Sequence, residues 1–131
     1  MLVTSIYASL LGFVFVALSI RTLLLRRRLG VAIGDGDQPV LTRAARVHAN
    51  FAEYVPLSLI LIYFLEIQVR TTLWIHILCI ALVVGRISHA FGVSQVKENF
   101  RYRVIGIVVT LMVIISASFG LILSYALNLL S

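Results

Sequence analysis

Two stretches of this chain carry no charge at all. They run from Leu2 to Ile20 and from Val104 to Ser131, 19 and 28 residues long. A helix of about 20 apolar residues crosses the hydrocarbon core of a bilayer, so each run is long enough to span it. Apolar residues make up 61% of the 131 positions and charged residues 12%, about half the charged share of a soluble domain. The chain therefore reads as a single domain over residues 1–131: an all-α integral membrane protein. The apolar stretch at the N-terminus has no basic segment before it and no small-residue cleavage site after it, so it is expected to stay as the first span rather than act as a signal peptide.

Breakers and polar turns divide the rest. Helix one is expected over about 2–25, ending in Arg26, Arg27 and Arg28. Residues 29–40, with Gly30, Gly34, Asp35, Gly36, Asp37 and Pro39, read as a loop. Thr42 can cap a second helix over about 41–65, with Pro56 inside it as a kink or local adjustment that membrane helices tolerate. Glu66 to Arg70 reads as a polar turn. Helix three follows over about 71–91, then a polar loop, then helix four over about 100–130. The result is a four-transmembrane-helix bundle.

The net charge of +6 fits topology better than nucleic acid, because the basic residues flank the apolar runs without the interleaved aromatics of a strand-binding surface. Ten of the eleven basic residues lie in or beside the first and third loops: Arg21, Arg26, Arg27, Arg28, Arg43, Arg46, Arg86, Lys97, Arg101 and Arg103. The positive-inside rule then puts loops one and three in the cytoplasm and both termini on the far side.

On a helix turning about 100° per residue, Arg46, Asn50, Glu53 and Tyr54 form one stripe, and Arg43 extends it by a turn. An Arg or Glu at the centre of a span costs at least ~2.5 kcal/mol on insertion scales, so such groups face protein or water. Helix three adds Arg86, and helix four adds Arg101 and Arg103. The cations outnumber the single carboxylate, and an anionic ligand would supply the countercharge: guanidinium suits carboxylates, and Glu53 can accept from an ammonium. A small zwitterion with more than one carboxylate fits this set.

The segment Arg46-Val-His48-Ala-Asn50-Phe-Ala-Glu53-Tyr54-Val-Pro56 resembles the helix-two signature R-x-x-x-N-x-x-E-Y-x-P of the membrane-associated proteins in eicosanoid and glutathione metabolism, the MAPEG family. Its members include microsomal glutathione transferases, leukotriene C4 synthase and microsomal prostaglandin E synthase. The resemblance continues in Gly85-Arg86-Ile-Ser-His89-Ala-Phe-Gly92 and in Arg101-Tyr-Arg103-Val-Ile-Gly106 leading to Thr110, and so covers essentially the whole chain.

The resemblance implies a homotrimer that binds glutathione as co-substrate between subunits near the cytoplasmic face, while a lipophilic substrate or lipid enters from the bilayer. It implies that Arg46, Asn50, Glu53 and Tyr54 hold glutathione, with His48 nearby and Arg86 and His89 lining the same site. Arg103, with Arg101 as the alternative, would stabilise the thiolate. A thiol of pKa about 8.5 is mostly protonated at neutral pH, and a shift of two units corresponds to roughly 2.7 kcal/mol. The implied activity is that of a glutathione transferase, with peroxidase activity as a further expectation, in a bacterial inner membrane. The sequence departs from relatives that carry a tyrosine one or two turns past the helix-three arginine, since Phe91, Gly92 and Val93 stand there. A non-catalytic lipid-binding or scaffold protein of the same fold is the alternative. A channel or transporter is weaker, because no repeated half or pair of broken helices is evident.

The remaining candidates have plainer readings. Cys79 is the only cysteine and reads as core packing. His76 has no spaced metal partner and reads as packing or an interhelical hydrogen bond, and no metal is expected. Gly34-Asp35-Gly36-Asp37 has too few oxygen ligands for a calcium loop and lacks the lysine and strand of a phosphate loop. Tyr7, Tyr63, Trp74 and Tyr125 suit interfacial or packing roles.

Overall fold

A computed structural model describes residues 2–69, 71–95 and 100–130. It contains four helices: α1 (Val3–Leu29), α2 (Pro39–Gln68), α3 (Thr72–Ser94) and α4 (Phe100–Leu129). Each is long and apolar enough to cross a membrane. The middle of the bundle is the α2/α3 pair. Both helices pack against α1 and α4, whereas α1 and α4 make no contact with each other among the described residues.

The core follows helical periodicity. Phe51, Val55, Ile62 and Leu65 of α2 meet Ile75, Leu78, Cys79 and Leu82 of α3, with Leu11 of α1 and Val113 and Ala117 of α4 closing the cluster. The Cys79 thiol is fully buried there, in agreement with its reading as packing. Phe13, Leu23, Phe119 and Ile122 are each more than 60% exposed, which in lipid carries no penalty. Lipid tails are as apolar as these side chains, so association between spans rests on close packing and polar links.

Those links fix both ends of the bundle. At one end, the Glu66 carboxylate accepts from the backbone N–H of Val3 and, at 2.9 Å, of Thr4. Tyr7 Oη lies 2.9 Å from His76 Nδ1, tying α1 to α3. At the other end, Arg21 Nη1 donates to Ser94 Oγ at 2.6 Å and Arg43 Nη1 to the Val93 carbonyl at 3.3 Å. Two guanidinium groups thus sit at the C-terminus of α3, where unpaired carbonyls and the helix dipole favour cations.

Helix ends differ from the sequence reading in ways that have physical causes. Pro39 starts α2 instead of ending the loop, because a proline at the first helical position loses no hydrogen bond. Thr42 therefore lies inside α2, where its hydroxyl donates to Asp35 Oδ2 at 2.8 Å. Glu66 belongs to α2, its carboxylate serving the start of α1. α2 runs through Pro56 as one helix. α1 closes on Gly30 at φ 67°, with Val31 N–H returning to the Arg26 carbonyl at 3.0 Å, a Schellman-type stop. Arg70 and Lys97 lie outside the described residues.

Candidate functional site: a cationic pocket between α2, α3 and α4

Glycine sets the geometry. A Cβ on Gly106 of α4 would lie 2.5 Å from the His89 amide nitrogen and 2.6 Å from the Gly85 carbonyl oxygen, so only glycine allows α4 to lie this close to α3. Thr110 Oγ donates back to the Gly106 carbonyl at 2.8 Å, keeping its own hydroxyl paired within the contact. Arg103, almost one turn before Gly106, is thereby carried to the pocket edge that His89 occupies.

The pocket has a volume of about 190 Å³ and is lined by Thr42, Arg43, Arg46 and Asn50 of α2, His89 and Val93 of α3, and Arg103 of α4. The α2 residues recur at helical spacing and form one wall. The guanidinium groups of Arg43, Arg46 and Arg103 surround the space, and no carboxylate is among its described lining residues. Asn50 is half-buried, His89 is buried, and Arg46 and Arg103 are exposed.

Of the residues singled out by sequence, the structure brings Arg46, Asn50, His89 and Arg103 to this pocket. Arg101 is two residues from Arg103, about 200° around the helix, and does not line it. Arg86 lies behind the wall, 1% exposed, its Nη1 donating to Asn50 Oδ1 at 2.9 Å and its guanidinium carbon 5.6 Å from the centre of the Tyr54 ring. Tyr54 thus faces Arg86 rather than the pocket. Glu53 lies on the exposed side of α2. His48 turns to α1, its Nε2 2.9 Å from Ser19 Oγ and its ring stacked on Phe15 at 4.9 Å. Sequence reasoning passed over Thr42 and Val93 as site residues. Thr42 stands four before Arg46, a spacing that extends the stripe, while Val93 offers no chemical signal.

A four-span membrane protein with a cationic pocket at the loop-bearing end of its bundle is the class that fold and site define. The MAPEG family profile matches residues 4–123. The inner membrane protein YecN of Escherichia coli strain K12 is 34% identical over 102 residues, covering 78% of this chain and 76% of the relative. The protein of the same name in E. coli O6:H1 strain CFT073 matches to the same extent. The chain belongs to the MAPEG family.

Proposed function

We propose that this protein is a glutathione-dependent transferase that acts on lipophilic electrophiles drawn from the membrane. The observation that carries this reading is the pocket lined by Arg43, Arg46, Asn50, His89 and Arg103, which gathers three guanidinium groups from α2 and α4 around one space. Glutathione brings two carboxylates and, as thiolate, a third negative charge. In the reaction the thiolate attacks the electrophilic carbon, a C–S bond forms, the leaving group departs with the bonding pair, and the thiol proton goes to solvent. Arg103 is assigned to the thiolate, because a guanidinium held beside sulfur favours its charged form. Peroxide reduction by the same thiolate is a second use of the site.

The assembly belongs to this reading as a homotrimer. Ligand pockets commonly measure about 300–1,000 Å³, and the single-chain cavity of about 190 Å³ is smaller than that range. Arg46 and Glu53 are exposed on α2 within a span, and a neighbouring copy would cover them. In this reading the protein sits in a bacterial inner membrane, as its Escherichia coli relative is named to do, and the basic loops one and three support both termini outside the cytoplasm and a pocket opening to the cytoplasmic side.

The test uses the purified trimer in detergent: ionisation of bound glutathione by ultraviolet difference absorption, and conjugation to a chlorodinitrobenzene. Activity in Arg103→Ala equal to wild type would overturn the role of Arg103. Absence of glutathione binding by the wild type would leave the second reading, a non-catalytic lipid-binding or scaffold protein. That reading draws on the α3 segment Phe91, Gly92 and Val93, which offers no hydroxyl, and on an apolar groove of about 340 Å³ lined by Gly12, Phe15, Phe51 and Pro56.

A further inference from the structure

Arg86 is the largest fully buried side chain described, yet it does not line the pocket. Its Nε and Nη2 have no hydrogen-bond partner among the described residues, and its one hydrogen bond runs from Nη1 to Asn50 Oδ1. A guanidinium has five N–H donors and no acceptor, so only the oxygen of the Asn50 carboxamide can face it. Rotating that amide would strip a buried cation of this acceptor and set N–H against N–H, a loss of the kind that costs most in a dry interior. The Tyr54 ring face at 5.6 Å supports the charge but replaces no hydrogen bond.

The consequence reaches the pocket through Asn50, which lines it. A free carboxamide offers a ligand either an acceptor or two donors. With its oxygen held by Arg86, Asn50 is left with its NH2 group. We propose that Arg86 is a positioning residue that locks the Asn50 carboxamide, so that Asn50 joins Arg43, Arg46 and Arg103 as a donor and the pocket discriminates in favour of anionic groups.

This rests on the reading of the pocket as a glutathione site and adds what sets its preference. Tyr54 and Arg86 then act from behind the wall, and the polar stripe of α2 divides into residues that meet the ligand and residues that hold them in place.

The experiment compares affinities for glutathione and for its diethyl ester, in which both carboxylates are neutral, by calorimetry on the detergent-solubilised trimer. Wild type is expected to prefer the acid. Arg86→Gln, which can donate to or accept from Asn50 and so frees the amide, is expected to bind glutathione about tenfold more weakly and to lose about tenfold of the preference over the ester, the scale of one charge-assisted hydrogen bond. Arg86→Lys keeps a donor to Asn50 and is expected to restore both quantities to within about threefold of wild type. A purely structural role would lower thermal stability in both variants and leave the preference unchanged, and that result would overturn the proposal. Should Arg86→Gln not assemble, Asn50→Ser gives the same comparison: it removes the locked amide while leaving Arg86, and an unchanged acid-to-ester ratio there refutes the lock. Wild type without glutathione affinity removes both the pocket reading and the inference. Wild-type affinity with an unaltered preference in the variants removes the inference alone.

Discussion

Gly106 packs so closely on Gly85 that a Cβ at position 106 would stand 2.6 Å from the Gly85 carbonyl oxygen. The two nearest neighbours are backbone atoms and the third is the His89 Cβ, none of which can swing aside, so α4 must move away from α3. Gly106→Ala is expected to destabilise the protein by about 1–3 kcal/mol, as overpacking does, and to weaken ligand binding by displacing Arg103. Gly12→Ala is the contrast, since nothing lies within 4 Å of the added carbon, and it should stay within about 0.5 kcal/mol of wild type. Thermal melts of the two variants in one detergent make the comparison.

Glu66 joins two chain segments that are far apart in sequence. α1 begins at Val3 with no side-chain cap from its own N-cap residue, Leu2, and the carboxylate of Glu66 fills that place. Bonds from N–H groups to a charged acceptor are worth about 1.5–3 kcal/mol, and a negative charge there also suits the helix dipole. Glu66→Ala should lower stability by about that amount and speed amide exchange at Val3 and Thr4. Glu66→Gln, with one acceptor left, should fall between. Exchange rates unchanged in both would mean the cap contributes nothing.

These two contacts mark how far the sequence could be read. The spans were legible because an uncharged apolar run has few alternatives, and the α2 stripe because its period is helical. Pro39 and Glu66 were misplaced because a breaker at a helix start and an acid at a helix end look like loop until their partners are known. Within the site, Arg46, Asn50, His89 and Arg103 were named and converge. His48 lies 200° from both Arg46 and Asn50 on α2 and faces α1, so sharing a segment did not mean sharing a wall. Arg86 was read as a lining residue, but its burial behind Asn50 depends on the α2/α3 packing, which no single helix encodes.

The first loop gives a pH prediction outside the membrane. The Thr42 hydroxyl, foremost, and the Asp37 N–H hold the Asp35 carboxyl below the ordinary aspartate range, against a small opposing effect of burial. A depressed folded value means that these bonds contribute above the unfolded value of about 3.9 and are lost as pH falls through the folded one. A carbon-13 titration of the Asp35 carboxyl should therefore have its midpoint below about 3.9. Thr42→Val should move it upward, and an unmoved midpoint would remove the hydroxyl from this role.

Arg101 and Arg103 differ in one structural respect that kinetics can read. Both precede Gly106 on α4 and carry the same charge, but two residues of helix separate their directions by about 200°, and only Arg103 lines the pocket. If charge at the end of α4 acted through its general field, removing either would have a similar and salt-sensitive effect. Acting by contact, Arg103→Ala should raise the pKa of bound glutathione towards its free value, costing up to about tenfold in thiolate at neutral pH per unit regained. Arg101→Ala should leave that titration within a few tenths of a unit. The measurement is the pH dependence of thiolate absorbance for glutathione bound to each variant, at low and at high salt. Equal shifts in the two variants would assign the effect to the field of the loop end and leave Arg103 no special place beside the sulfur.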